Sequence, residues 1–166
     1  MNRAIRLFML LILPVVTVTD HALAQDHAEG EPVKYTEYSG YFESNKSGLS
    51  GDVSLLAFTD QEDFDEIFGT VPLPPVEAKK EQLPENAFDS LMVVAVIHRG
   101  KEYLNYHVKK VTAAGGTLTV DYDTTTRPPP GTGSFAVPMI LSVPKGPYKS
   151  VVFIENGSEA GTAEVD

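Results

Sequence analysis

Histidine is the residue type in this chain best suited to acid–base chemistry, because its imidazole titrates near neutral pH. The chain holds four histidines and no cysteine among its 166 residues. Only His98 and His107 fall within strongly patterned sequence, so they are the candidates for a metal site or a general base. Paired with a carboxylate, either one would suit a small hydrolase, in which a histidine activates the nucleophile.

The spacing of these two histidines argues against a shared metal ion. Leu91–Ile97 and Tyr103–Thr112 have strand patterns, and a two-residue turn at Gly100 and Lys101 would join them as a hairpin. The histidines would then lie four positions apart along the ladder, about 13 Å at ~3.3 Å per residue. That separation is too long for one metal ion. The sequence therefore predicts no metal site and no cofactor.

Other catalytic patterns are missing from the sequence. Gly131–Ser134 has neither the spacing nor the strand–turn–helix context of a nucleophile elbow. Asp121 and Asp123 alternate with apolar residues, as solvated charges on the outer face of a strand do. The acidic run Asp60–Glu66 lacks the ligand spacing and the glycine of a calcium loop. We therefore expect a protein that is not an enzyme.

The composition is strongly acidic, with 23 acidic against 13 basic side chains and a formal net charge of −10. A surface of that sign repels nucleic acid and anionic lipid, so neither is an expected partner. The absence of cysteine excludes disulfides and a lipid-bearing cysteine anchor. A secreted chain without disulfides suits a bacterial periplasm or exterior.

The N-terminus has the anatomy of a secretory signal peptide over residues 1–24. Arg3 and Arg6 precede the apolar run Leu7–Val18, and Ala22–Ala24 forms an A-x-A cleavage site. The apolar run is well below the ~20 residues that span a bilayer, so we expect no membrane anchor. After it, the sequence predicts a disordered tail over residues 25–33, one β-rich domain over 34–155 and a flexible acidic tail over 156–166.

The organising feature of the predicted domain is Leu91–Asp123, which reads as three consecutive strands joined by glycine-containing turns. One helix is predicted over Asp60–Phe68, with Thr59 and Glu62 as a capping box and Gly69 as its terminator. The fold class is mainly β: an antiparallel sandwich or open barrel of about seven strands with one short helix. The predicted strands are Glu37–Ser44, Asp52–Phe58, Leu91–Ile97, Tyr103–Thr112, Thr117–Asp123, Ser134–Val143 and Lys149–Ile154.

Surface features then suggest a partner-binding role. The predicted hairpin tip concentrates positive charge on an acidic protein, although charges at a tip also protect strands from aggregation. An exposed edge strand recruits partners through its main chain. An alternative is a small-ligand site at the open end of the barrel, lined by Tyr103, Tyr106 and Phe135. The partner-binding candidates are His98, Arg99, Lys101, Tyr103, Asn105, Arg127, Pro129 and Pro130.

The order of strands and turns over Phe88–Ile154 resembles the C-terminal domain of the PrcB-like protease-complex subunit family. One departure is Leu104-Asn105-Tyr106, where that family has Gly-Gly-Tyr, and the missing cysteine separates the chain from lipoprotein members. The resemblance implies an exported, non-catalytic subunit that stabilises or accompanies a protease. Its segments are Phe88-Asp89, Leu91–His98, Gly100-Lys101, Tyr103–Val111, Leu118–Val120, Pro129–Gly131 and Pro138–Pro144.

Overall fold

The structure is a computed structural model that describes residues 30–71, 82–127 and 133–166. Several sequence predictions concern residues outside these ranges: the signal peptide over residues 1–24, the start of the tail over 25–29, and the loop prolines Pro129 and Pro130. Within the described ranges the predicted mainly β fold is confirmed, with eleven strands, one α-helix and one 3₁₀ helix.

The elements follow one another along the chain without a βαβ rhythm. The strands are β1 (Glu31–Pro32), β2 (Thr36–Tyr38), β3 (Tyr41–Glu43), β4 (Val53–Phe58), β5 (Phe68–Thr70), β6 (Leu91–Gly100), β7 (Tyr103–Ala114), β8 (Thr117–Arg127), β9 (Phe135–Pro144), β10 (Ser150–Glu155) and β11 (Ser158–Glu164). The helix α1 (Gln61–Ile67) follows β4, and the 3₁₀ helix (Ala87–Asp89) precedes β6.

Nine of the strands form two facing sheets. One has the order β1-β7-β8-β10-β11 and the other β2-β9-β6-β4, while β3 and β5 pair separately. The strand pairs are antiparallel except β8 with β10, which run parallel. Two separate sheets make this a sandwich, which decides between the two predicted architectures.

The strand β6 is buried on both faces, which explains its unbroken apolar sequence. Met92, Val94 and Val96 pack towards the five-stranded sheet. Val93 and Ile97 pack on the opposite face, in a second core that contains aromatic side chains of α1, β4 and β5. Each of these β6 side chains is at most 1% exposed. The four-stranded sheet is therefore the middle layer of the described fold.

The predicted hairpin between β6 and β7 is wrong. β6 pairs with β4 and β9, whereas β7 pairs with β8 and β1, so the chain crosses from one sheet to the other at Lys101 and Glu102. The physical reason lies in the two sequences. β6 is apolar on both faces and needs a covered position, while β7 alternates and keeps one face in solvent.

The predicted hairpin between β7 and β8 is present. Its turn residues Gly115 and Gly116 have φ of 58° and 85°, the left-handed values that a two-residue hairpin turn requires. Ala114 pairs with Thr117 across the turn, and the register shifts between Val108 and Lys110. A bulge at that point bends β7 and increases its twist.

The helix begins one residue later than predicted. Asp60, not Thr59, is the N-cap, and its side chain accepts a hydrogen bond from the Asp63 backbone N–H. The helix ends at Ile67, and Phe68 already belongs to β5. Gly69 acts as a strand residue and not as a helix terminator. A Cβ there would lie 2.6 Å from the Phe42 ring, so the absence of a side chain lets the ring pack against the backbone.

Both predicted tails are partly structured. Glu31–Pro32 pairs with β7, although residues 25–33 were predicted to be disordered. Ser158–Glu164 pairs with β10 through most of its length, so the prediction of a flexible tail over 156–166 is wrong there. The sequence did not predict this strand because most of its residues are polar or small and its outer face lies in solvent. Only Ala163 reaches the core. The additional strands β1, β5 and β11, and the division of Glu37–Ser44 into β2 and β3, raise the predicted seven to eleven.

In the part of the chain that the structure describes, no helix is long and apolar enough to cross a membrane.

The turn between β7 and β8 provides a test of the fold. Gly115→Ala is expected to lower the free energy of unfolding by about 1 kcal/mol, because a Cβ is strained in the left-handed region. No atom lies within 4 Å of that Cβ position, so the loss is a backbone effect. Gly115→Asn is expected to lose less, since Asn tolerates this conformation. Urea denaturation measures the free energy of unfolding of both variants. Equal losses would contradict the left-handed conformation of Gly115 in the turn.

Candidate functional site

Most of the predicted site residues meet at one end of the sandwich. His98 and Arg99 lie near the end of β6, Lys101 lies in the crossing to β7, and Tyr103 and Asn105 lie at the start of β7. Arg127 ends β8 directly opposite Tyr103. We call this region, Lys101 to Asn105 with Arg127 and Phe135, the crossing end. The fold places it where the chain passes from β6 in the middle sheet to β7 in the outer one.

An aromatic and cationic cluster covers the surface of the crossing end. The Arg127 guanidinium lies over the Tyr103 ring, 5.3 Å from its centroid. The Phe135 ring packs edge-on against the same Tyr103 at 6.1 Å. Tyr103 remains 40% exposed, and Asn105 is exposed two residues further along the strand. The structure thus groups three predicted residues and adds Phe135, which the sequence suggested only for a ligand pocket.

Arg99 has a structural role instead of a surface role. Its guanidinium donates two hydrogen bonds of 2.7 Å to the Glu43 carboxylate and further ones to Ser54 and the Gly51 carbonyl. Ser47 donates to the same carboxylate at 2.8 Å. These hydrogen bonds from Arg99, together with the nearby positive charge, lower the pKa of Glu43 below its ordinary value of 4.5. We therefore assign Arg99 to a link among β3, β4 and β6.

His98 joins the two sheets. Its Nε2 lies 3.2 Å from Oε2 of Glu155 on β10, without the alignment of a hydrogen bond. The other groups around this carboxylate are hydroxyls: Thr124 donates to Oε1 at 2.8 Å and Tyr122 donates to Oε2 at 3.3 Å. The Tyr106 ring lies 5.9 Å from the imidazole. The sequence missed Glu155, because its contact with His98 exists only once the two sheets face each other.

Tyr106 and Tyr122, which lie beside the contact between His98 and Glu155, both act as hydrogen-bond donors. Burial raises the pKa of Tyr122 well above its ordinary value of 10, and the nearby Glu155 carboxylate raises it further. Burial likewise raises the pKa of Tyr106, whose hydroxyl donates a hydrogen bond of 2.7 Å to the Val137 carbonyl. The neutral Tyr106 hydroxyl links β7 to β9 of the facing sheet, whereas the neutral Tyr122 hydroxyl donates to Glu155 within the five-stranded sheet. The carboxylate that faces the His98 imidazole is that of Glu155, and it accepts hydrogen bonds from the hydroxyls of Tyr122 and Thr124.

His107 lies apart from the contact between His98 and Glu155. It is exposed on β7 and pairs with Asp123 of β8, so the two histidines occupy different sheets. The four-position spacing inferred from the hairpin is therefore wrong, since no β6–β7 ladder exists. Among residues 30–71, 82–127 and 133–166, no group of three or more His, Asp or Glu side chains is placed to hold a metal ion.

The outer edge of β7 is open over half its length. β1 pairs only with Thr112 and Ala113, and Val33 adds one hydrogen bond to the Val111 carbonyl. The chain then crosses to the other sheet, where β2 pairs with β9. No strand within the described residues pairs with the outer side of Tyr103–Val108. We call this stretch the open edge.

The remaining sides of the sandwich are less accessible. β11 lies against β4, so closely that a Cβ at Gly161 would be 2.8 Å from Leu55 Cδ1. β2 reaches only Ile140–Ser142 of β9, but the uncovered part of β9 contains Pro138, which has no N–H to offer. Of these sides, the open edge is therefore the one suited to accept a further strand.

A cavity of about 780 Å³ lies on the outer face of the five-stranded sheet. Its lining includes the hydroxyls of Thr112, Thr117 and Thr119 and the apolar side chains of Val152 and Ile154. The ligand alternative predicted a pocket lined by Tyr103, Tyr106 and Phe135, and none of these lines this cavity. Tyr106 instead fills the interior between the sheets.

Comparisons with protein-family models, with curated proteins and with solved structures found no match to this chain. The site must therefore be interpreted from its own geometry.

The link between Arg99 and Glu43 leads to a pH-dependent prediction. Arg99→Lys is expected to lower the free energy of unfolding by about 1–2 kcal/mol at pH 7, because lysine cannot form the two-pronged contact. The folded-state pKa of Glu43 is lowered, so its contribution is present above pH 4.5 and is lost as pH falls through the folded-state pKa.

Chemical denaturation between pH 7 and pH 3 measures this effect. The stability difference between the wild type and Glu43→Gln is expected to shrink as the pH falls. A difference that stays constant across this range would show that the carboxylate of Glu43 is not the stabilising group.

Proposed function

We propose that this protein is an exported, non-catalytic binding domain that captures an extended segment of another protein along the open edge of β7. The observation that carries the proposal is the missing strand partner at Tyr103–Val108 within the described residues. In an antiparallel ladder every second residue directs its backbone N–H and C=O away from the paired strand. An added strand would satisfy these groups by main-chain hydrogen bonds.

The orientation of these backbone groups follows from contacts made by the N-terminal segment. The Val108 carbonyl accepts a hydrogen bond of 3.4 Å from the Tyr35 hydroxyl, so it faces the open side. The register with β8 is regular from Val108 back to Tyr103. Leu104 and Tyr106 therefore also direct their backbone N–H and C=O groups outward.

The crossing end supplies side-chain contacts beside this edge. Tyr103 and Arg127 present an exposed aromatic ring and a cation, two features that are enriched where proteins bind one another. Asn105 adds an amide on the same face. The secretion signal expected over residues 1–24 supports a location in a bacterial periplasm or outside the cell. The resemblance to the PrcB-like family favours a protease as the partner.

A proline at Leu104 tests capture along the edge. Leu104→Pro removes an outward N–H without removing a hydrogen bond to β8, so the partner is expected to bind at least about tenfold more weakly. Leu104→Ala is the matched control, because it loses the same side chain and keeps the N–H. Affinity capture from the periplasm or medium of the native cell is compared for both variants, with thermal melts to check folding.

A second measurement identifies contact at the edge. A photo-crosslinking residue at position 105 on β7 is expected to label the captured protein, and one at position 162 on the opposite edge strand is not. Equal capture by Leu104→Pro and Leu104→Ala, or labelling only from position 162, would refute binding along β7.

The cavity on the outer sheet face supports a second candidate, the binding of a small molecule. Native mass spectrometry of the purified protein separates the two candidates. A small molecule that the wild type retains and Val152→Trp loses would support small-molecule binding at this cavity. If Leu104→Pro also left the capture of protein unchanged, small-molecule binding would replace capture along the edge as the proposed function. Val152 is suited to this test because it lines the cavity from the central part of β10.

A further inference from the structure

We infer that the segment captured at the open edge alternates apolar and acidic side chains. This inference rests on the proposed function and specifies the chemistry of its partner. Three features carry it: the two faces of β7, the way in which the chain's own N-terminal segment already occupies the same strand, and the charges at the two ends of the edge.

The two faces of β7 differ in polarity. Leu104, Tyr106 and Val108 point towards the interior, and Val108 is buried in the core between the sheets. Tyr103 and Asn105 point to solvent. A strand added beside β7 would follow the same alternation, because side chains of neighbouring strands share their faces. One half of its side chains would therefore cover apolar surface, and the other half would face water.

The chain's own N-terminal segment occupies the other end of this edge in that way. Glu31 and Pro32 pair with β7 and are exposed. Val33 and Tyr35 pack against the core, while the Val33 N–H donates to the Val111 carbonyl. This segment leaves the edge when it crosses to the second sheet. A partner that extends the same line towards Tyr103 would continue the pattern of apolar residues inside and polar residues outside.

The charged residues of β7 indicate which outward side chains a partner would carry. β7 contains Lys109 and Lys110 and no acidic residue. Lys109 is balanced by Asp121 and Asp123 at 2.8 Å and 3.0 Å. By contrast, no ion pair in the described part of the chain engages Lys110, which lies just beyond one end of the open edge.

The other end of the edge is also cationic. Lys101 and Arg127 are exposed there and have no ion pair among the described residues, while Glu102 is the one acidic neighbour in the crossing. The open edge spans about 17 Å at ~3.4 Å per residue, so a segment of about six residues reaches both groups of cations. Acidic outward side chains would meet positive charge at each end, on a protein that otherwise repels acidic partners.

Synthetic peptides test this inference on the full chain. Three peptides are compared by fluorescence anisotropy: one alternating valine and glutamate, one alternating valine and lysine, and one with the composition of the first but its acidic residues in a block. The alternating acidic peptide is expected to bind at least about tenfold more tightly than either of the others. Its affinity is expected to fall with added salt, because the contacting charges are exposed.

Charge reversal provides the matched variants. Lys110→Glu and Arg127→Glu are each expected to weaken the acidic peptide severalfold. Lys145→Glu makes the same change in net charge beyond the far end of β9, so it is expected to leave the affinity unchanged. Equal weakening by all three variants would show a general charge effect and overturn the assigned location.

The remaining outcomes separate this inference from the proposed function. Equal binding of the acidic and lysine peptides, with both lost in Leu104→Pro, would overturn the acidic selectivity and leave capture along the edge intact. Binding of none of the peptides would overturn the inference, whereas the capture and crosslinking measurements decide the function. A dimer that Leu104→Pro dissolves would show that a second copy of the chain occupies the edge instead.

Discussion

Burial of β6 on both faces is the constraint on which the rest of the structure depends. A strand with the sequence LMVVAVI cannot leave either face in water without exposing large apolar side chains. The five-stranded sheet covers one face, and the aromatic side chains of α1, β4 and β5 cover the other. Phe64 of the helix contacts Phe58, Phe68 and Tyr41 through ring packing, so this second cover is a compact aromatic layer.

This constraint also shapes the candidate site. Because β4 and β9 occupy both sides of β6 in its sheet, β7 must join the other sheet, and the chain crosses at Lys101 and Glu102. The N-terminal segment makes a second crossing after Tyr35 and leaves β7 without a neighbour over Tyr103–Val108. The two crossings together produce the open edge. Pro138 and the contact between β11 and β4 make the other sides less suitable for strand addition.

Polar links between layers explain why two predicted surface residues have structural roles. Arg99 is held by Glu43, Ser54 and the Gly51 carbonyl, so most of its donors are used within the chain. His98 faces Glu155 across the sandwich. The groups left at the surface near the open edge include the ring of Tyr103, the amide of Asn105, the imidazole of His107 and the charges of Lys101, Lys110 and Arg127. A partner at the open edge would contact this smaller set of side chains.

The sequence by itself determined the fold class, the apolar strand over Leu91–Ile97 and the β7–β8 hairpin. These features depend on local pattern: the period of apolar residues and the two glycines that tolerate positive φ. It also named Tyr103, Asn105 and Arg127, because aromatic, amide and cationic residues next to predicted turns and loops can be read from the sequence. Tertiary structure alone decided which strands pair, since pairing depends on which faces must be covered. For the same reason it alone brought Glu155 to His98, Glu43 to Arg99 and Arg127 over Tyr103, and it alone left the edge of β7 open.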